Sequence, residues 1–215
     1  MEWFPGNCPS RITMSLKSHF SEIPCLECGC DEVGRGCLAG PVCAAAVIFP
    51  YDYRNDDIND SKKLTAVQRN SLRAIIERDA IAFCVAEVSE KEIDRINILN
   101  ASIKCMNDAV GRLSVKPEFL LIDGNKFKDQ WSIPYQCVVK GDANYLSIAA
   151  ASILAKTYRD ELMVRLDAEY PMYDWKNNKG YPAPKHIEAV MKFGYTPYHR
   201  RSFHLKNQLS LDFGQ

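Results

Sequence analysis

Residues 29–50 read GCDEVGRGCLAGPVCAAAVIFP, and this stretch contains most of the information on fold and chemistry. Two adjacent carboxylates, Asp31 and Glu32, follow small and apolar residues where a buried strand is predicted to end. A glycine–arginine–glycine sequence at residues 34–36 then leaves the backbone nearly bare. Residues 40–50 are almost wholly apolar and end in proline, which predicts a second buried strand.

Length and composition are those of one folded domain. The 215 residues are 47% hydrophobic, which is sufficient for a complete core. Lys plus Arg and Asp plus Glu are equal at 27 each, so the net charge does not indicate a partner. Residues 176–206, however, contain seven Lys or Arg and one acid, Glu188. This region is either a contact for a polyanion or a solvated basic face, and charge alone does not separate the two.

Nine cysteines, an odd number, are scattered among core-like segments. No N-terminal apolar run has the form of a signal peptide and no segment is long enough to span a bilayer, so we expect a cytoplasmic protein with reduced thiols. Cys25, Cys28 and Cys30 are close enough in sequence to suggest zinc. A closed zinc site needs four ligands, and no second pair stands at a familiar spacing, so small buried side chains are the favoured interpretation.

Helix and strand patterns are mixed along the rest of the chain. Capping residues and apolar spacing predict helices after Thr65, after Ser89, over residues 97–113 and 145–166, and in the second half of residues 177–194. Further strands are predicted over residues 81–88, 118–123 and 135–139. The last residues, 196–215, look extended. The mixture predicts one mixed α/β domain. We place this domain at residues 23–206, between a flexible N-terminal tail and a C-terminal tail at residues 207–215.

Four carboxylates stand at the ends of apolar runs or just before a helix: Asp31, Glu32, Asp123 and Asp142. Buried acids repel one another unless they are paired, and a divalent cation is one common remedy. Oxygen ligands without His or Cys favour Mg²⁺ or Mn²⁺ over zinc. Two such ions about 4 Å apart support phosphodiester hydrolysis. The alternative is that each acid caps a helix or a turn; for four acids together, with a basic C-terminal region, the metal site is favoured.

The glycines at residues 34 and 36 allow main-chain groups to approach a ligand closely. RNA differs from DNA by the ribose 2′-hydroxyl, so a bare loop beside a metal site can detect that hydroxyl without recognising a base. Arg35 is suited to hold a phosphate. The alternative is a tight turn with a surface arginine.

Eight motifs spread over residues 31–203 resemble those of bacterial ribonuclease HII, the type 2 ribonuclease H. They are DEVGRG (31–36), NDSKKLT (59–65), NIL (97–99), LIDGN (121–125), KGD (140–142), SIAAASILAKTYRD (147–160), NKGYP (178–182) and TPYHRRSF (196–203). The resemblance implies an α/β RNase H-like fold, which has a mixed central β-sheet flanked by helices and a helical C-terminal part. It implies a monomeric endonuclease, dependent on Mn²⁺ or Mg²⁺, that hydrolyses RNA in RNA–DNA hybrids and cuts 5′ of single ribonucleotides in duplex DNA. The products would carry 3′-hydroxyl and 5′-phosphate ends, as in ribonucleotide and RNA primer removal.

The resemblance also implies roles for individual residues. Asp31, Glu32, Asp123 and Asp142 would be the metal-binding acids, and Gly34, Arg35 and Gly36 would contact the junction nucleotides. Tyr181 would stack on the junction sugar, and Asp160 would support the site without binding metal. Further substrate contacts are expected from Lys62, Lys63, Asn97, Lys185, His186, Arg200 and Arg201.

Two sequence features of this chain can be set against those of ribonucleases H of types 2 and 3. Where the family usually has a threonine and a basic residue after GYP, this chain has Ala183 and Pro184, which puts a phosphate contact or a helix cap in doubt. The related type 3 enzymes have an additional N-terminal domain and a lysine in the GRG motif. Arg35 and the early position of Asp31 therefore favour type 2.

The segment QLSLDF, residues 208–213, is similar to the peptide with which bacterial proteins bind the sliding clamp. Gln208, Leu211 and Phe213 would be its anchors. The alternative is that these apolar side chains pack on the domain itself. For the whole chain, two other functions compete with the nuclease: a module that binds hybrid duplexes without cutting them, and a two-metal nuclease that acts on DNA.

Overall fold

A five-stranded mixed sheet forms the centre of the computed structural model, which describes residues 15–203. The strands are β1 (Glu27–Val33), β2 (Val42–Ile48), β3 (Ala82–Val88), β4 (Phe119–Asp123) and β5 (Tyr135–Val138). Their spatial order is β3-β2-β1-β4-β5. The first three strands are antiparallel to one another, whereas β4 and β5 are parallel to β1. β1 is therefore central and has one antiparallel and one parallel neighbour.

Six helices accompany the sheet: α1 (Ala66–Asp79), α2 (Glu90–Ile96), α3 (Ile98–Gly111), α4 (Leu146–Glu169), α5 (Trp175–Asn178) and α6 (Pro184–Phe193). α3 packs on one face of the sheet against residues such as Cys30 and Ala44. α4 and α1 cover the other face, against residues such as Ala45 and Val47. The predicted class of mixed α/β domain is confirmed, because alternate residues of β1 and β2 serve two separate cores.

α4 packs closely on β1, and this contact depends on small side chains. α4 carries Ala149, Ala150 and Ala151 at its buried face. On β1, a Cβ atom placed on Gly29 would collide with the backbone of Ser147 in α4. The glycine and the alanine run together therefore set the distance between the helix and the strand that bears Asp31.

A second, smaller core lies beyond the end of the sheet, where α4 extends past it. Trp175, Tyr173 and Met163 pack there with α6. The helical C-terminal part that the sequence predicted is present in this region. α6 begins with Pro184 at its first turn, and Ala183 at the N-cap makes no side-chain capping bond. Proline stabilises the first turn, whereas alanine at the N-cap has no side-chain group that could accept a capping hydrogen bond.

Three expectations differ from the structure. β1 continues to Val33, so Asp31 and Glu32 lie within the strand and do not follow it. Of the predicted N-terminal tail, residues 17–21 are docked: Lys17 pairs with the backbone at residues 144–146, and the Phe20 and Ser21 amides donate to Glu27. Residues 196–203 were expected to be extended, but they form turns and bury Thr196, His199 and Arg200. This segment has no helical or strand period, so its packing was not visible in the sequence.

Two further expectations concern the cysteines and a membrane-spanning segment. Cys28 and Cys30 are fully buried in the α3 core, with their sulfur atoms 3.8 Å apart. They are small core residues, as favoured. Within residues 15–203, no helix combines the length and the apolar character that a membrane crossing requires.

Candidate active site

Two of the four acids come from β1 and point to opposite faces of the sheet. Successive side chains of a strand alternate, so Asp31 points towards α4, where it interacts with Ser152. Glu32 points towards α3 and lines a cleft of about 340 Å³ together with Asp123. The two neighbouring carboxylates therefore lie on opposite faces of the sheet, near the end of β1.

The third acid is placed by strand register. β1 and β4 pair in parallel up to Cys30 and Ile122. The next residues in the same register are Asp31 and Asp123, so the two carboxylates stand side by side on one face. The sequence predicted an acid at the end of each strand, and the register shows why these two acids meet.

The fourth acid, Asp142, comes from the short 3-10 helix Gly141–Ala143 that precedes α4. Lys140 adopts a left-handed conformation with φ of +57° and turns the chain into this helix. The Gly141 amide then donates a 2.7 Å hydrogen bond to Oδ1 of Asp123. This bond fixes the spacing between Asp123 and Asp142, which is itself buried.

Burial and like charge make this cluster electrostatically unfavourable on its own. Burial raises the pKa of Asp31 well above its usual range, and the neighbouring charges of Asp123 and Glu32 raise it further. Burial likewise raises the pKa of Glu32, against the lowering effect of Arg35, and that of Asp123. Three adjacent carboxyl groups thus resist ionisation, and a bound cation would favour their charged forms.

Two basic side chains partly supply that charge. Arg35 forms a 3.0 Å ion pair with Glu32, and Lys62 forms a 3.0 Å ion pair with Asp142. Both side chains are largely exposed, at 50% and 78%. Within residues 15–203, no three His, Cys, Asp or Glu side chains stand in a finished metal-binding arrangement.

The donor set nevertheless fits Mg²⁺ or Mn²⁺. It consists of carboxylate oxygens alone, it is mostly buried, and its members raise one another's pKa. Hard divalent cations prefer such ligands, and their charge removes the repulsion that the protein leaves in place.

The loop after β1, residues 34–41, is here called the GRG loop. Gly34 has φ of +93°, and a Cβ atom there would collide with the side chain of Arg159. Gly34 is therefore required by the fold. At Gly36 the φ is ordinary and a Cβ atom would find only the Tyr181 ring, at 4.0 Å. The protein itself has room for a side chain at residue 36, so packing does not explain this glycine.

The tyrosine loop, residues 178–183, lies against the GRG loop. The Leu38 amide donates a 2.7 Å hydrogen bond to the carbonyl oxygen of Gly180. Tyr181 is 40% exposed, and its side chain interacts with the Cys37 thiol. An exposed aromatic ring beside an exposed glycine backbone forms the rim of the acidic cluster.

The other predicted substrate residues fall into two groups. Lys62, Lys63, Lys185 and Arg201 are exposed. Asn97 is exposed as well, but its side-chain oxygen caps α3 through the amide of Asn100. Asp160 is paired with Lys156 at 2.5 Å and with Arg69 at 3.7 Å.

His186 and Arg200 do not have the surface position that was expected. His186 is fully buried and hydrogen-bonds to Trp175, to His199 and to the carbonyl of Tyr181. Arg200 is 1% exposed and donates only to main-chain carbonyls of the GRG loop. Neither side chain has free surface for a duplex, so the expected backbone contacts of these two residues are wrong in this structure. Burial lowers the pKa of Arg200 to about 10, which keeps it charged at neutral pH.

Three residues of the site were missed by sequence reasoning. Ser152 meets Asp31, Cys37 meets Tyr181, and Arg159 lies beneath Gly34. Ser152 and Arg159 are both on α4, and Cys37 follows the GRG motif directly. The only available signal was their position inside or next to the quoted motifs.

Comparison with known proteins identifies the family. A family model described as Ribonuclease HII matches residues 28–206. The chain belongs to the ribonuclease HII family. It is 59% identical over 190 residues to Ribonuclease HII of Bacteroides thetaiotaomicron, covering 87% of this chain and 95% of the relative. It is 56% identical over 202 residues to Ribonuclease HII of Cytophaga hutchinsonii, covering 93% and 100%. The chain is therefore a hydrolytic endonuclease of the ribonuclease H type, which acts on RNA–DNA hybrids.

Solved structures confirm the RNase H-like fold. Ribonuclease H2 from Pyrococcus horikoshii aligns with a TM-score of 0.70 at 25% identity, over 82% of this chain and 93% of that one. Ribonuclease HII of Archaeoglobus fulgidus, solved as a complex with PCNA, aligns with a TM-score of 0.71 at 24% identity, over 87% and 98%.

The raised pKa of Asp31 gives a prediction on stability. In EDTA at pH 7, Asp31→Asn should raise the free energy of unfolding by at least about 1 kcal/mol, because the charge that the fold disfavours is removed. The unfolded carboxyl ionises near pH 4, so the stability that the protonated Asp31 provides is complete below about pH 4 and is lost as pH rises towards the folded pKa. The advantage of the asparagine variant should therefore vanish near pH 4.

Urea denaturation at several pH values measures this effect, with Asp57→Asn, at an exposed carboxylate, as the matched control. Excess Mn²⁺ should reverse the order and stabilise the wild type more than Asp31→Asn. An asparagine variant that is less stable than the wild type in EDTA at pH 7 would contradict the electrostatic description of the site.

Proposed function

We propose that this chain cuts duplex DNA 5′ of a single embedded ribonucleotide, in addition to RNA in hybrids, by a two-metal-ion mechanism. The observation that carries the proposal is the position of Gly36. Its bare backbone follows Arg35, which pairs with Glu32, and lies near the exposed ring of Tyr181, although the fold itself would accept a side chain there. Packing does not require the open space at Gly36, so this space suits a ligand that approaches the main chain. A ribose 2′-hydroxyl is such a group, because it both donates and accepts hydrogen bonds.

Asp31, Glu32, Asp123 and Asp142 would hold the metal ions. Bound divalent ions supply Lewis-acid stabilisation and an activated water for phosphodiester hydrolysis. The chain itself provides orientation: the Gly141 amide fixes Asp123, and β1 fixes Asp31 and Glu32 on a rigid strand. The ends left by such hydrolysis would be a 3′-hydroxyl and a 5′-phosphate.

The remaining surface would bind the duplex without recognising bases. Arg35 and Lys62 are exposed beside the acids and are suited to the phosphates next to the cut. Lys63, Lys185 and Arg201 extend the exposed positive charge. Contacts of this kind give an affinity that depends on salt and not on sequence. Asn97 contributes through the cap of α3 and so shapes the wall of the cleft beside Glu32.

Cleavage of three matched duplexes in Mn²⁺ or Mg²⁺ tests the proposal: all-DNA, DNA with one ribonucleotide, and a full RNA–DNA hybrid. We expect a cut 5′ of the lone ribonucleotide, cleavage of the hybrid and none of all-DNA, with loss of at least about 10³-fold in Asp31→Asn. Gly36→Ala should fold as stably as the wild type but lose about 10-fold or more on the lone ribonucleotide, because the new methyl group fills the gap.

Each other outcome of this panel favours a competing function. Binding of the ribonucleotide duplex without any cut would favour a binding module. Equal cleavage of all-DNA would favour a DNA nuclease and would contradict the role of Gly36. Wild-type activity in Gly36→Ala would likewise remove the observation on which the proposal rests.

The C-terminal segment is proposed to bind the bacterial sliding clamp through Gln208, Leu211 and Phe213. These residues lie outside the described part of the chain, and the support is the sequence QLSLDF alone. Deletion of residues 207–215 should abolish binding to the clamp in a pull-down or calorimetric titration and leave cleavage of a short duplex unchanged. Undiminished clamp binding by the shortened protein would contradict the proposal.

A further inference from the structure

Two arginines are buried beneath the loops that form the rim of the site. Arg159 of α4 is fully buried, and Arg200 is 1% exposed. The six hydrogen bonds of their guanidinium groups all end on main-chain carbonyl oxygens. Burying a guanidinium is costly unless its donors are satisfied. Here main-chain carbonyls accept these hydrogen bonds, and the buried carboxylate of Glu90 interacts electrostatically with both guanidinium groups.

Arg159 joins the two loops. Its guanidinium donates to the carbonyl oxygens of Ala39 at 3.0 Å and Pro41 at 2.9 Å in the GRG loop. It also donates to the carbonyl of Lys179 in the tyrosine loop at 2.8 Å. A planar group with five donors in a rigid arrangement can hold three carbonyls in one geometry, which lysine cannot do.

Arg200 orients a particular peptide group. Its Nη1 donates to the carbonyl of Arg35 at 2.9 Å, and its Nε and Nη2 donate to the carbonyl of Gly40 at 2.9 and 2.7 Å. A trans peptide points its C=O and the following N–H in opposite directions. Because the Arg35 carbonyl is held inward, the Gly36 N–H points outward. Within residues 15–203 this N–H donates to no protein acceptor.

We propose that Arg159 and Arg200 are positioning residues for ribonucleotide recognition. Arg200 aims the Gly36 amide at the substrate, and Arg159 fixes the distance between that amide and Tyr181. The inference rests on the proposed function, since it assumes that Gly36 and Tyr181 meet the junction nucleotides. The accuracy of that recognition then depends on two buried guanidinium groups that do not touch the substrate.

Glycine variants separate this role from general stability. Gly180 and Gly194 both have positive φ, at +81° and +79°. A Cβ atom on Gly180 would collide with the carbonyl of Ala39 and separate the two loops, whereas a Cβ atom on Gly194 meets nothing within 4 Å. Both substitutions bring the same kind of backbone strain, so their difference reports the contact between the loops.

The experiment compares Gly180→Ala, Gly194→Ala, Arg159→Lys and Arg200→Lys in the full chain. For the lone-ribonucleotide duplex, Gly180→Ala and both lysine variants should lose kcat by about 100-fold with little change in KM, because a displaced recognition group spoils alignment at the reacting phosphate. Gly194→Ala should stay within about twofold of the wild type. The Mn²⁺-induced increase in Tm should be the same in all proteins, since the acids are untouched.

Hydrogen exchange gives a readout independent of activity. Amide exchange of residues 34–41 should be faster in Gly180→Ala and Arg200→Lys than in Gly194→Ala. Unchanged kcat in Gly180→Ala and the lysine variants, or losses that follow the Mn²⁺ response in parallel, would overturn the positioning role. A wild type that does not cut the ribonucleotide duplex would overturn the proposed function instead, while the exchange data would still test whether the arginines hold the loops.

Discussion

The mutual repulsion of buried carboxylates at the end of β1 is the constraint on which the rest of the site depends. Strand register brings Asp31 beside Asp123, and the turn before α4 adds Asp142. Within residues 15–203, Arg35 and Lys62 each form an ion pair with only one of these acids. The fold holds the acids together through the close packing of α4 on β1, which the Gly29 contact makes possible. The same repulsion between carboxylates that opposes folding without metal favours the binding of divalent cations.

Two different kinds of buried charge thus support the candidate site. The buried acids raise one another's pKa, which favours the binding of a cation. The guanidinium groups of Arg159 and Arg200 are buried against main-chain carbonyls, and the Arg35 carbonyl held by Arg200 leaves the Gly36 amide facing outward. One helix adjoins both parts of the candidate site, since α4 carries Ser152 beside Asp31 and Arg159 beneath the GRG loop.

The sequence predicted the elements well, and it singled out four acids that the fold places near one another, because both leave local signals. The long helix was predicted over residues 145–166 and is observed at Leu146–Glu169. Whether each basic residue is buried or exposed was not predictable in the same way. His186 and Arg200 look like surface residues of a basic region, and only the tertiary structure shows that their partners are carbonyls and rings distant in sequence. The packing of residues 196–203 was hidden for the same reason, because no local period accompanies it.

Anomalous diffraction from crystals grown with Mn²⁺ and a duplex that carries one uncleavable ribonucleotide tests the central claim most directly. We predict manganese peaks bound by the carboxylates of Asp31, Glu32, Asp123 and Asp142, next to the phosphate 5′ of the ribonucleotide. The 2′-hydroxyl should lie within hydrogen-bond distance of the GRG loop backbone. A crystal without manganese at these acids, or with the ribonucleotide bound away from Gly36, would contradict the claim that metal binding and sugar recognition meet at the end of β1.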